Sequence, residues 1–502
     1  MFIIDDGLIG VEVTLLDQPA FDETSTVWTI NNLQIALGIE QETHRHYVRE
    51  EVKSLIAALD EKLASQDDKR IIWPVGPPGT GKSTNIFGWA MSKALDTNTP
   101  SRKGLLYMHE APDLYEILEV TDGVGKKTSV SKQKLNDWFN LVVGSKDIVI
   151  MDGFRTEMIS VIITMGKKYP GAMLIPCTSY QSGATNSETA ALFQYSEFQS
   201  YSWTFEDLER AVAAGVLVFT DDYSLVEHHF YCGGSMRLML QDLVHAIQFI
   251  DRNIKRVDNA KDLLSGLQGI SSPLCMNSLI QLLPGNGVCL LSEYVCKKLS
   301  MCADMDFIET AKNVSRNNPA WQGWVFELEF LTRVQIASKH PPNTITLYKL
   351  NWWGNFFAAE LQEKSFEILN MVDYTNTTIH HLRDGTFFTP MKWNQGCYDA
   401  VYYRLVEGIH HVYFLQCTIS VTHQFKFQYC GDFLENLFPS SDGVFTRSNS
   451  SERTNTNLKV HFYVVTRKEN ANIFHFGTNE SIESVTRKDP TFNAKRMKVV
   501  YL

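Results

Sequence analysis

Gly76-Pro77-Pro78-Gly79-Thr80-Gly81-Lys82-Ser83 satisfies G-x-x-x-x-G-K-[ST] at every fixed position, and Thr84 continues it into an amphipathic run. Glycines at this spacing let successive backbone N–H groups turn inward around a phosphate. The helix that follows adds the positive end of its dipole. A lysine in the seventh place reaches the β- and γ-phosphates, and the Ser83 hydroxyl can ligate Mg²⁺. The loop is therefore expected to bind ATP with Mg²⁺ through residues 76–84.

A second acid is needed to hold the metal's water shell. Asp147-Ile148-Val149-Ile150-Met151-Asp152-Gly153 is an apolar run ending in a carboxylate about 70 residues past the loop, so Asp152 is expected to fill that role. The next residue is Gly153 rather than Glu, which leaves the usual general base of an ATPase absent from that place. Glu110, at the end of Gly104-Leu105-Leu106-Tyr107-Met108-His109-Glu110, is the candidate substitute. Thr178 or Ser179 could feel the γ-phosphate. Arg237, just past Gly233-Gly234, could swing a cation over it.

These residues need elements to carry them. Ile71-Ile72-Trp73-Pro74-Val75 reads as a buried strand before the loop, and Asn85 to Met91 as a helix after it. Residues 104–110, 147–153 and 172–179 read as further strands, and Asn136 to Val143 as a helix. Glu40 to Arg49 is expected to open an amphipathic helix continuing through Val52, Leu55, Ile56, Leu59 and Leu63. His44 and His46 then sit on its solvated start. Asp242 to Leu299 is expected to be helical with Pro-Gly punctuation, suiting a lid and connector. Gly396 to Tyr403 and His411 to Thr418 read as a hairpin around Glu407-Gly408, with Lys459 to Val465 as one more strand. Most of the aromatics from Trp321 to Phe357 are expected to be core rather than a stacking surface for bases.

The chain has 502 residues, too many for one core, so two or three domains are expected. The apolar content of 44% and charged content of 21% are ordinary for a globular protein. The start is acidic, so no secretory signal is expected, and the apolar runs are too short to span a bilayer. The nine cysteines include no C-x-x-C pair, so no zinc site or disulfide framework is expected. The net charge of −11 excludes a wholesale nucleic-acid coat. Residues 321–502 are near neutral, about +1, which permits a local nucleic-acid site there.

Taken together, the glycine loop, Asp152-Gly153, Trp203, Tyr231-Cys232-Gly233-Gly234-Ser235-Met236-Arg237 and Gln416-Cys417-Thr418 with His423 make the chain resemble the Crinkler proteins. The resemblance implies an α/β chain. A P-loop NTPase of the AAA+/STAND-like kind, with a parallel sheet and helical lid, is followed by a restriction-endonuclease-like α/β domain. The implied boundaries are an N-terminal segment of unassigned role at 1–45, an NTPase core at 46–240, a lid and connector at 241–316 and the nuclease-like domain at 317–502.

In that domain Asp399 matches the first metal-binding acid, and Glu327 could be the helical glutamate. Gln416 stands where the second acid is usual, and Lys426 or Lys392 could replace the lysine that Thr418 displaces. The implied activities are ATP hydrolysis, with Lys82, Asp152 and Arg237 in its machinery, and Mg²⁺-dependent DNA cleavage at Asp399 and Gln416. DNA and host nuclear proteins are the implied partners, in a soluble effector acting inside cells and in the nucleus, with oligomerisation open and no membrane. The alternative is a non-enzymatic, ATP-dependent effector that binds DNA or a host protein.

Overall fold

In a computed structural model, the structure describes residues 2–4, 8–37, 43–65, 70–96, 104–111, 113–133, 146–153, 164, 168–169, 171–177, 195–257, 277–285, 287–300, 304–315, 319–340, 344–350, 361–367, 370–374, 384–390, 398–423, 428–438, 457–471, 473–476 and 497–501. Thr178, Ser179, Lys392, Lys426 and the run from Asn136 to Val143 lie outside these residues. The chain divides into two units, Met1–Ser292 and Glu293–Leu502.

The N-terminal unit is built on strands, of which Ile72–Val75, Ile148–Asp152 and Met173–Cys177 are apolar runs buried throughout. They are β1 (Phe2–Ile4), β2 (Leu8–Val13), β3 (Val27–Asn31), β4 (Thr43–Tyr47), β5 (Ile72–Val75), β6 (Leu105–Glu110), β7 (Leu114–Thr121), β8 (Val124–Ser131), β9 (Ile148–Asp152), β10 (Met173–Cys177) and β11 (Ser196–Gln199). β6, β9 and β10 are parallel neighbours, and β5 pairs in parallel with β11. An isolated parallel bridge, Ile71 to Leu174, sets β5 beside β10. That join is short because Pro74 and Pro176 lack an N–H to donate. The parallel core therefore runs β6-β9-β10-β5-β11, with one strand between the glycine-loop strand and the strand of Asp152. Antiparallel β7, β8, β2 and β1 extend it beyond β6.

Residues on alternate sides of these strands enter two separate cores. Ile72, Tyr107, Ile150 and Ile175 face helices α2 (Glu50–Ala64) and α3 (Lys82–Leu95). Trp73, Met108, Met151 and Leu174 fill the opposite face. This is the P-loop NTPase arrangement: a parallel sheet whose glycine loop feeds a buried helix.

Two expectations fail here. Residues 43–47 are not the start of a helix. β4 pairs with β3 in the register Trp28 to His46 and Ile30 to His44, and α2 begins only at Glu50. The segment has no apolar period of its own, and pairing with the alternately buried β3 satisfies its backbone. His46 is consequently buried, not solvated. The stretch from Asp242 to Leu299 is not wholly helical either. β12 (Ile280–Leu283) and β13 (Gly287–Leu290) form a hairpin whose turn uses Gly285 and Gly287 at positive φ. Short helices lie between β11 and this hairpin: α4 (Phe205–Ala213), α5 (Leu225–Cys232), α6 (Met236–Met239) and α7 (Leu243–Ile254), with α1 (Leu33–Leu37) earlier in the chain.

The C-terminal unit opens with α8 (Glu293–Ser300), α9 (Met305–Val314) and α10 (Pro319–Lys339). Its strands are β14 (Thr344–Leu350), β15 (Leu361–Glu367), β16 (Asn370–Tyr374), β17 (Thr386–Pro390), β18 (Ala400–Val406), β19 (Ile409–Cys417), β20 (Thr422–His423), β21 (Leu458–Thr466), β22 (His475–Phe476) and β23 (Met497–Tyr501). Eight of them form a mixed sheet in the order β15-β14-β23-β21-β19-β18-β17-β16, while β20 pairs with β22. The long helix α10 covers one face through Phe326, Phe330 and Val334, and α11 (Gln428–Leu437) covers the other through Phe433 and Leu434. Trp321, Phe326 and Phe330 are core, as expected of the early aromatics.

Candidate functional site

At the end of β5 the chain turns sharply. An added Cβ on Gly79, whose φ is +83°, would lie 2.4 Å from Ser235 Oγ and 3.2 Å from Arg237 N. Gly81, at φ +92°, opens α3 without any side-chain cap, so the first N–H groups of that helix face the loop uncapped. Lys82 Nζ crosses the loop's mouth, donating to Gly76 O at 2.7 Å, Pro77 O at 2.9 Å and Thr80 Oγ1 at 3.3 Å. Crowding by protein draws its pKa down to about 8, although Asp152 and neighbouring acids favour the charged form. An anionic phosphate would reverse that.

Ser83 Oγ donates to Asp152 Oδ1 at 2.5 Å, joining residues 69 positions apart. Asp152 Oδ2 also accepts from Tyr107 OH and His109 Nδ1, each at 3.0 Å. Burial pushes the Asp152 carboxyl up, and the bonds from His109, Ser83 and Tyr107 outweigh it and hold the group below the usual carboxylate range. The hydrogen bond to Asp152 raises His109 in turn. A hydroxyl and an ionised carboxylate in contact, beside the glycine loop, are hard oxygen donors of the kind Mg²⁺ takes. Glu110 stands close to Gly153, and Lys132 Nζ engages its carboxylate at 2.7 Å.

Ser235 to Arg237 lie against the loop, with Met236 N donating to Gly79 O at 3.1 Å. Arg237 is exposed, and its charge is felt by both Lys82 and His109. The preceding Gly-Gly pair serves close packing. A Cβ on Gly233, at φ +54°, would meet Leu291 O at 1.7 Å, and one on Gly234 would meet Trp203 O at 2.3 Å.

Several partners of the loop escape sequence reasoning. Arg49, 5% exposed, donates to Thr80 O at 3.0 Å, Tyr201 O at 3.3 Å and Ser202 O at 3.4 Å. It also stacks 4.5 Å over Trp203 and pairs with Glu51 at 3.3 Å. His46 packs against Gly81 and edge-on to Trp203, and burial lowers its pKa to about 3. His109 was within reach of the sequence, since its strand adjoins that of Asp152. Arg49 carries no local signal at all.

The C-terminal unit assembles a second cluster. Glu407 and Gly408 turn at φ +52° and +74°, the left-handed pair of a two-residue hairpin. The register of β18 with β19 puts Asp399 opposite Gln416. Asp399 Oδ2 accepts from Gln416 Nε2 and from Cys417 N, both at 2.6 Å. Glu327, on α10, has Oε1 3.7 Å from Lys297 Nζ, which lies 2.9 Å from Glu293. Burial pushes Asp399 up to about 7, and burial beside Asp399 raises Glu327 as well. Burial would lower Lys297, but Glu293, Glu327 and Asp399 together outweigh it and raise its pKa.

No protein-family model and no curated protein sequence matches the chain. Among solved structures, C. elegans PCH-2 shows 13% identity over 52% of this chain and 74% of its own, with a TM-score of 0.24. Drosophila ORC bound to DNA shows 14% identity over 60% and 72%, with a TM-score of 0.25. Hsp104 with ATPγS and casein shows 12% identity over 57% and 50%, with a TM-score of 0.26. Among the described residues no helix is long and apolar enough to cross a membrane.

Proposed function

We propose that the N-terminal unit binds MgATP and hydrolyses it. The observation that carries this reading is the contact of Ser83 with Asp152 at the mouth of the loop that Lys82 spans. The loop of residues 76–84 would cradle the phosphates, through the backbone N–H groups of Gly79 to Thr84 since Pro77 and Pro78 have none, and Lys82 would leave its carbonyl partners for the β- and γ-oxygens. Ser83 and Asp152 hold Mg²⁺, which when bound screens phosphate charge. Arg237, docked on Gly79 through its own segment, reports the γ-phosphate to the helices around it. Glu110 is engaged by Lys132, whereas His109 is in direct contact with Asp152.

The C-terminal unit is proposed to act on DNA as a Crinkler-like effector domain, with Mg²⁺ on Asp399 and Gln416 and its action controlled by the ATPase. The direct contact of those two side chains supports this. A second reading, an ATP-dependent module that binds DNA or a host protein without cleaving it, is favoured by the amide at Gln416 in place of an acid. ATP turnover and plasmid cleavage by wild type, Lys82→Ala and Asp399→Ala decide between them. Lys82→Ala should lose ATP turnover, and unchanged turnover overturns the loop assignment. Asp399→Ala should lose cleavage and keep turnover; absence of cleavage in wild type leaves the binding module.

A further inference from the structure

Asp152 is followed by a glycine, and the neighbouring strand supplies a carboxylate at that place. β6 and β9 run parallel with His109 opposite Asp152, so Glu110 and Gly153 follow side by side at the two strand ends. Gly153 takes a φ of +83°, and an added Cβ there would lie 3.2 Å from Glu110 Cβ and 3.9 Å from Glu110 Oε2. The second distance is little more than the span from a glutamate's own Cβ to its carboxylate oxygens. Glu110 therefore brings its carboxylate into the space that a glutamate at position 153 would use. Lys132, just past β8, holds the other oxygen, Oε1, at 2.7 Å. Its Nζ also lies 5.8 Å over the ring of Tyr115, the residue paired with Glu110 on β7. His109 Nδ1, by contrast, is committed to Asp152 Oδ2.

We infer that Glu110 is the general base of ATP hydrolysis and that Lys132 is its positioning residue. The inference deepens the proposed ATPase reading and rests on it. Glu110 takes a proton from the attacking water as the water oxygen bonds to the γ-phosphorus and the bond from that phosphorus to the β–γ bridging oxygen breaks. ADP and inorganic phosphate leave, and the proton passes from Glu110 to solvent. With the carboxylate supplied by β6, residue 153 is free to be the glycine that its left-handed turn favours. The ion pair with Lys132 ties Oε1 toward β8 and so holds the carboxylate beside Gly153.

The test is steady-state MgATP turnover by the full chain, with a fluorescent-nucleotide titration of each variant. Glu110→Gln should lower kcat by at least about a hundredfold and bind nucleotide as wild type does. Glu110→Ala should lose turnover likewise and regain part of it in added formate, which a merely structural role would not allow. Lys132→Ala should lower kcat by about tenfold with KM unchanged, and Lys132→Arg should keep most of the activity. Turnover in Glu110→Gln within about threefold of wild type, while Lys82→Ala loses it, upholds the ATPase and overturns the inference. Loss of nucleotide binding in both Glu110 variants makes the residue structural and overturns it as well. Unchanged kcat in Lys132→Ala beside a loss in Glu110→Gln overturns the role of Lys132 alone. Wild type that binds nucleotide and turns none over overturns the ATPase reading and the inference together.

Discussion

Replacing Arg49 by alanine should unlock the phosphate loop from behind. Its guanidinium serves three carbonyl oxygens, Thr80 O, Tyr201 O and Ser202 O, and lies over the Trp203 ring. Truncation leaves those carbonyls short of donors in the interior and removes the partner of Glu51. Losing one member of a buried charged network costs about 3–5 kcal/mol. At about 2–4 °C per kcal/mol for a unit of this size, the N-terminal unit should melt about 10 °C lower. Because Thr80 belongs to the loop, MgATP affinity should fall as well, and the stabilisation conferred by MgATP should shrink with it. Arg49→Lys keeps the charge but not the planar fork or the stacking, so it should recover only about half of the loss. The assay is thermal unfolding of wild type and both variants, with and without MgATP, alongside a fluorescent-nucleotide titration. A melting point within about 2 °C of wild type, with unchanged affinity, refutes the bracing role.

Asp152→Asn should retain ATP binding and need at least about tenfold more Mg²⁺ for half-maximal turnover; an overlaid Mg²⁺ curve returns Asp152 to a strand-end role. His46, with its pKa lowered to about 3 by burial, stabilises the fold fully above its unfolded pKa near 6.5 and loses that contribution as pH falls toward 3. Each pH unit in that window is worth about 1.4 kcal/mol, so His46→Gln should flatten the loss of stability between pH 6.5 and 5 by about 2 kcal/mol in denaturant unfolding, and parallel curves would exclude His46 as the source. Gly79→Ala should lower MgATP affinity through its left-handed φ and its clash with Ser235 Oγ. Partial recovery in the double variant with Ser235→Ala is the check, and equal affinity of Gly79→Ala and wild type would count against the docking of that segment.

The glycine loop was fully legible in the sequence because its geometry is local. Left-handed glycines, one lysine and a helix start lie within eight consecutive residues, and their chemistry depends on little beyond them. The same holds for the Glu407-Gly408 hairpin. Two adjacent left-handed residues set the register, and the register alone brings Asp399 to Gln416. Asp152 was legible only as a partner of the loop, since its contact with Ser83 spans 69 positions and needs β10 to stand between β9 and β5.

Other features belong to tertiary structure alone. Helix-like spacing from Val52 onward extended naturally back to Glu40, yet pairing with β3 turned residues 43–47 into a strand and buried His46. Arg49 looks like any arginine before a helix, and its three carbonyl partners come from residues 31 and about 150 positions away. Lys297 reads as a surface lysine of an amphipathic helix. Only the packing of α8 beside α10 and the sheet places its ammonium among carboxylates. A residue type and its neighbours determine backbone conformation over a few positions; which buried charge meets which is decided by how distant segments fill the same low-dielectric space.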